Sequence, residues 1–246
     1  MKVLVDIGNT RIKWAVEANG IINNTQAVNH HEIDFIEQIK GSWSTIDMPE
    51  ILAIASVSKQ NIVEQLSKLA KKNWPDITVV IAKSTAEGFS VTNAYKDASK
   101  LGVDRWLGLI ALQHYYPGNS CIIDCGTAVT IDVLNQQGLH LGGLISPGLQ
   151  LMKQSLYQGT VNLSHVEQAF SVGLSDSTNS AIYSGTLLAV AGLIEKVVYQ
   201  FCESCQTFVL TGGDAELLAK NLNCQVYVEH DFILKGLALY SSSCGK

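Results

Sequence analysis

The sequence predicts an α/β protein made of two similar halves, each a mixed sheet with flanking helices. Three observations carry that expectation. An apolar strand ending in Asp-x-Gly occurs twice, in VLVDIGNTRIKWAV from Val3 and in CIIDCGTAVTIDVL from Cys121. Each opens a run of three strand-like segments joined by turns, after which the pattern changes to alternating helix and strand. The stretch YYPGNS at 115–120 reads as a linker between them, and such self-similarity marks a duplicated fold. The halves are expected at 1–117 and 118–246.

In the first half, MKVLVDI, RIKWAVE and IINNTQAV are strands separated by the GNT and ANG turns, an antiparallel meander. A helix around 32–40 leads to the buried strand ILAIASV. The apolar positions Ile62, Val63, Leu66, Leu69 and Ala70 predict a helix, and ITVVIA is the next strand. EGFSVTNAYKDASKLG reads as a loop before a helix in DRWLGLIALQHYY.

The second half repeats the scheme with SCIIDCG, TAVTIDVLN and LHLGGLI, and a helix starts at PGLQLMKQSLY, where Pro147 suits a first turn. A long helix over 179–201 carries Ile182, Gly185, Ala189, Gly192 or Leu193 and Val197 on one face, small enough for close packing. The strand TFVLTG, a helix at 214–221, the strand QVYVE and a last helix complete the set.

Composition limits the function. With 246 residues, 47% hydrophobic and 16% charged, the chain is globular, and a formal net charge of −5 argues against broad nucleic-acid binding. The longest uninterrupted apolar runs are strand-length, and Asp6 comes too early for a signal peptide, so a cytoplasmic protein without a membrane partner is expected. The six cysteines read as free thiols. Cys202 and Cys205 form one CxxC, but a zinc site needs four ligands and no second pair completes it. His30 and His31 read as a loop.

A strand-turn-strand carrying Gly, Asn and Thr offers backbone N–H groups and hydroxyls to an anion, and glycine permits close approach. Phosphate fits that description. Asp6 and Asp124 would repel phosphate directly, which points to cations between carboxylate and nucleotide, magnesium being typically held by one or two carboxylates plus phosphate oxygens. One Asp-x-Gly is ordinary turn chemistry; two at equivalent places favour a clamp on a polyphosphate. Neither a GxxxxGK[ST] loop nor a GxGxxG fingerprint occurs.

The paired turns on duplicated meanders resemble the actin, Hsp70 and sugar-kinase superfamily, which implies ribonuclease-H-like (actin-like ATPase) halves. More closely, DIGNTRIKWA at 6–15, GVDRWLG at 102–108, DCGTAVTID at 124–132, GGLISPG at 142–148 and TGGDA at 211–215 resemble type III pantothenate kinase. The resemblance implies ATP-dependent phosphorylation of pantothenate to 4'-phosphopantothenate, the first step of coenzyme A biosynthesis. It also implies Mg2+, a monovalent cation (K+ or NH4+), and a homodimer with the pantothenate site near the subunit interface.

By resemblance, Asp104 is the catalytic residue that accepts or orients the proton of the attacking hydroxyl, work that positioning alone can do in phosphoryl transfer. Its plain alternative is a helix cap. Gly102, Val103, Asp104 and Arg105 form a pantothenate wall, Arg105 supplying a fork for carboxylate or amide oxygen; Tyr95 and Thr178 complete the substrate set. Asp6, Ile7, Gly8, Asn9, Thr10, Arg11, Ile12 and Lys13 hold ATP phosphates, Lys13 as a point charge, although Arg11 and Lys13 also fit a solvated strand face. Thr127 contacts a phosphate oxygen and Asp124 the monovalent cation. Gly212 and Gly213 suit close approach to adenosine, while Asp214 fits a helix cap. Asp132 receives no role. Two other readings are a nucleotide-binding regulatory protein without transfer chemistry, and a relative acting on acetate or polyphosphate.

Overall fold

Alternation along β1 (Lys2–Ile7) sets the layering of the first unit: Val3, Val5 and Ile7 enter one core, while Leu4 is buried on the other face and Asp6 shares its side. The computed structural model describes residues 1–161, 163–202 and 205–243. β2 (Arg11–Ala18) and β3 (Ile21–Asn29) continue the antiparallel meander, and β4 (Ile51–Ser56) and β5 (Thr78–Ile81) add parallel strands in the order β3-β2-β1-β4-β5. α1 (Phe35–Trp43) and α2 (Gln60–Asn73) cover one face, where Ile39, Trp43, Ile62, Val63, Leu66 and Ala70 meet Val3, Val5 and Ile7. α1 starts three residues later than the expected 32, because the chain first turns on itself with Glu32 N–H donating to Asn29.

The segment read as a loop contains a small hairpin, β6 (Glu87–Gly88) and β7 (Val91–Thr92). Its turn residues Phe89 and Ser90 have φ of 56° and 60°, which a sequence reading reserves for Gly or Asn. Tertiary packing holds them there, with the Phe89 ring stacked on Tyr240 at 5.5 Å. A 3-10 turn at Ala98–Lys100, capped by Asp97, then leads into α3 (Val103–Tyr115). α3 is buried along nearly all of its length from Val103 to Leu112.

The second unit, Tyr116–His230, repeats the plan. β8 (Ser120–Cys125), β9 (Ala128–Leu134) and β10 (His140–Pro147) form its meander; α4 (Leu149–Gly159) and α5 (Thr178–Phe201) follow, then β11 (Thr207–Thr211), α6 (Ala215–Ala219) and β12 (Tyr227–Val228). The strand order β10-β9-β8-β11-β12 matches that of the first sheet position for position. Cys121, Ile123 and Cys125 face α5, so Asp124 falls on the opposite side.

α5 is long and apolar enough to cross a membrane, but Tyr183, Leu187, Val190, Ile194 and Val197 line the buried side of the unit, as a core helix requires. Of the face expected to pack closely, Ile182 and Val197 are buried but its small residues face outward. Gly185, Ala189 and Gly192 are exposed, and a Cβ at either glycine would meet nothing within 4 Å. Leu and Val outcompete Gly for the interior because they bury more apolar area.

The last helix, α7 (Phe232–Ser243), belongs with the first unit, which comprises Met1–Tyr115 and the chain from Asp231 onward. A boundary at 117/118 assigns this helix to the second half; packing assigns it to α3. A Cβ at Gly236 would run into the carbonyl of Leu107, so the two helices approach to backbone distance.

Candidate active site

Three clusters of the expected site residues can be built up from their local structure. In the first unit, the antiparallel register sets Asp6 opposite Lys13, placing both side chains on one face of the sheet. The GNT turn is closed by Gly8 N–H donating to the Arg11 carbonyl at 3.0 Å. A partner that sequence reading missed joins it: His30 Nε2 lies 3.1 Å from the Gly8 carbonyl, and His30 N–H donates to the Thr10 carbonyl at 3.1 Å. His30 thus braces the turn from the end of β3. The ammonium of Lys13 stands 3.4 Å from Asp231 Oδ1.

The second cluster gathers Tyr95, Gly102, Asp104 and Arg105 around the start of α3. Asp104 is half-buried in the first turn, and its Oδ1 accepts from the N–H of Arg105 at 2.7 Å. That bond pins one carboxylate oxygen at the helix N-terminus, where a negative charge is favoured. Gly102 leaves room for it, since a Cβ there would stand 2.5 Å from Asp104 Oδ1 and push the carboxylate aside. Arg105 is 6% exposed, and its guanidinium donates to the Tyr95 hydroxyl at 2.7 Å while lying 5.5 Å from that ring's centre. Tyr95 is fixed in turn by its N–H donating to Asn93 Oδ1 at 2.9 Å, and the Asn93 amide donates to Thr85 and Ala98 carbonyls. A buried arginine held by a phenol and a π-face is oriented for a planar anion or amide.

The third cluster is the second Asp-x-Gly turn. Gly126 N–H donates to the Ala128 carbonyl at 3.1 Å and Gly148 N–H to the Thr127 carbonyl at 2.9 Å. The TGGDA turn closes on it from the other side: Asp214 N–H donates to the Cys125 carbonyl at 3.0 Å. Gly212 has φ +93°, and a Cβ there would stand 2.5 Å from Asp124 Oδ1 and 2.6 Å from the Cys125 backbone. Only glycine fits. Beyond Asp214 lies a cavity of about 200 Å³ lined by Gln150, Lys153, Tyr183, Thr186 and Leu217 among others. Lys153 is 5% exposed, with its ammonium 5.8 Å from the centre of the Tyr183 ring.

Asp132 gains a partner that sequence did not supply. Its Oδ1 lies 2.8 Å from His140 Nε2, both side chains being almost fully buried. His140 pairs with Leu134, which shares a strand face with Asp132, so the register of β9 and β10 sets the imidazole beside the carboxylate. Thr178 is exposed as the first residue of α5. The five described cysteines are free thiols, and Cys202 is pushed up to about 12 by hydrogen bonding with Cys121 first and by burial. Cys125 and Cys205 are pushed up further, the first by burial and the second by its bond with Cys202. Thiols held this way are poor nucleophiles.

The sequence model of the type III pantothenate kinase family matches residues 2–200. A type III pantothenate kinase of Nitrosococcus oceani is 34% identical over 255 residues, covering 100% of this chain and 96% of that protein. Another, from Laribacter hongkongensis, is 37% identical, covering 99% and 100%. Among solved structures, an activator of 2-hydroxyisocaproyl-CoA dehydratase from Clostridium difficile, with bound ADPNP, aligns with a TM-score of 0.55 at 14% identity, covering 100% of this chain and 98% of that one. The likeness is one of fold: two mixed sheets of the same strand order, each with flanking helices, as the duplicated α/β reading expects.

Proposed function

We propose how this chain, which belongs to the type III pantothenate kinase family, carries out that family's reaction with its own residues. The chain is an ATP-dependent kinase that converts pantothenate to 4'-phosphopantothenate, the entry to coenzyme A biosynthesis. The observation that carries the residue-level reading is the Tyr95–Arg105–Asp104 cluster, in which a buried fork sits one residue from a pinned carboxylate.

In this reading Arg105, oriented by Tyr95, holds the carboxylate or amide oxygen of pantothenate, and Gly102 and Val103 line the same wall. Asp104 accepts a hydrogen bond from the primary hydroxyl and keeps its oxygen in line with the γ-phosphorus. The hydroxyl oxygen forms its bond to phosphorus as the bond to ADP breaks, and the hydroxyl proton passes to Asp104. Because phosphoryl transfer rests on positioning and charge, a carboxylate fixed in one orientation is sufficient. Thr178 completes the substrate set.

The Asp6–Lys13 hairpin takes the phosphates, with Gly8, Asn9 and Thr10 offering backbone N–H and hydroxyl donors and Lys13 a point charge; Ile7, Arg11 and Ile12 shape the turn. Thr127 gives a further hydroxyl. Asp6 would hold magnesium when it binds with the nucleotide, and the ion would supply positive charge against the phosphate oxygens. Asp124 and the Cys125 carbonyl, both close to Gly212, supply the all-oxygen donors that suit potassium or ammonium. The cavity beside Asp214 suits adenosine, with Lys153 as donor to a ring nitrogen.

A homodimer is supported by the outward face of α5, with Gly185, Leu188, Ala189 and Gly192, and by Leu144 and Ile145 on the edge strand β10. Its use of ATP points to the cytoplasm.

The test is ATP consumption by the purified protein in magnesium and potassium, with and without pantothenate, and product mass. Pantothenate-dependent turnover is expected. Tight ATP binding without product under any monovalent cation would establish the regulatory reading instead.

A further inference from the structure

The ammonium of Lys13 does not reach across the hairpin unaided. Its neighbour Asp231 is the residue before α7, and the Asp231 carbonyl accepts the first helical bond, from Lys235 N–H at 2.9 Å. An aspartate at this position ordinarily turns its side chain onto its own helix. Here the carboxylate reaches outward with both oxygens engaged elsewhere in the first unit. Oδ1 lies 3.4 Å from Lys13 Nζ, and Oδ2 accepts from Thr25 Oγ1 at 3.0 Å.

Thr25 is on the same face as Lys13 because Lys13 pairs with Ala27, two residues further along β3. The local irregularity that skips a pairing between Trp14 and Val16, with Asn24 at φ 55°, lies next to Thr25. A strand defect, a helix cap and a hairpin lysine therefore converge on one carboxylate.

Stability is a weak account of the arrangement, since the part-buried pair approaches only to 3.4 Å and lysine and aspartate keep 33% and 27% of their side-chain surface in water. Its effect is on freedom. Lysine carries a flexible four-carbon stem with three rotatable donors, and a donor that must be ordered at the moment of binding weakens binding. One donor directed at an oriented carboxylate fixes where the others point.

We propose that Asp231, oriented by Thr25, is a positioning residue that holds the Lys13 ammonium at the phosphate end of the hairpin. The proposal rests on the assignment of Lys13 to phosphate made above.

Steady-state kinetics at varied ATP test it. Lys13→Met is expected to raise the KM for ATP about tenfold or more. Asp231→Asn, nearly isosteric and still able to accept from Thr25, is expected to raise it about three- to tenfold with kcat changed less than about threefold. Thr25→Val moves KM the same way by less, and Lys13→Met/Asp231→Asn is no worse than Lys13→Met alone, as expected for residues acting through one group.

If Lys13→Met leaves the KM for ATP unchanged, the phosphate assignment fails and this proposal with it. If Lys13→Met weakens ATP while Asp231→Asn alters only the melting temperature, or lowers KM, the proposal alone is overturned. An Asp231→Asn protein that does not fold is replaced by Thr25→Val, for which an unchanged KM is equally decisive.

Discussion

The guanidinium of Arg105 donates to the phenol of Tyr95 at 2.7 Å, ten residues back in the chain, and is almost fully buried as it does so. Tyr95→Phe keeps the ring and removes that acceptor. A hydrogen bond to a charged group is worth about 1.5–3 kcal/mol, so the KM for pantothenate should rise roughly tenfold or more while that for ATP stays constant. Parallel titrations of the two substrates check this; equal shifts in both would mean a general disturbance of α3.

Asp104→Asn retains the shape and an oxygen for the Arg105 N–H but loses the proton acceptor. Turnover should fall by about 10²–10⁴, the usual range for a general base. Calorimetric titration with ATP should give an unchanged dissociation constant. Equal turnover in the two proteins would leave Asp104 only a structural role, as acceptor for the Arg105 N–H inside the first turn of α3.

Gly212→Ala adds a Cβ against Asp124 Oδ1 and the Cys125 backbone at φ +93°. Strain of this kind costs about 1–3 kcal/mol. A lower melting temperature should accompany a higher potassium concentration for half-activation, since the carboxylate must shift. Wild-type potassium response in a destabilised protein would separate Asp124 from cation binding.

Alkaline sensitivity has a defined direction. Tyr116 is pushed from 10.0 to about 12, by burial first and then by its bond to Glu229, and Cys202 is pushed from 9.0 to about 12. In both, the folded state holds the proton more tightly than the unfolded chain. Their contribution is complete below the unfolded values and is lost as pH rises through the 9-to-12 window. Denaturant midpoints measured across that window should fall steadily, and Tyr116→Phe should flatten part of the slope.

Much of the fold was legible because its signals are local. Period-two alternation in VLVDI and CIID, and turns rich in Gly and Asn, predict both meanders and hence the two phosphate turns. The Phe89–Ser90 turn was hidden, since its positive φ values depend on Tyr240, far along the chain. His30 and His140 were illegible as partners for the same reason. The first needs the end of β3 to return to Gly8, and the second needs the cross-strand register that sets His140 opposite Leu134, on the face of Asp132. The face of α5 was misread because small residues suit both close helix packing and an open surface, and only the surrounding volume decides. For Asp104, Arg105 and Tyr95, residue types alone would have supported a capped helix and a surface pair.

The return of α7 to α3 makes the second unit an insertion within the first. Residues 116–230 form a contiguous stretch, whereas the first unit is complete only when both sides of that stretch have been made. During synthesis, the face of α3 that receives Gly236 therefore waits for the whole of the second unit to emerge from the ribosome. Chains that stop short of Asp231 present this apolar helix to solvent and to one another, so premature termination should yield aggregates rather than a half-active enzyme.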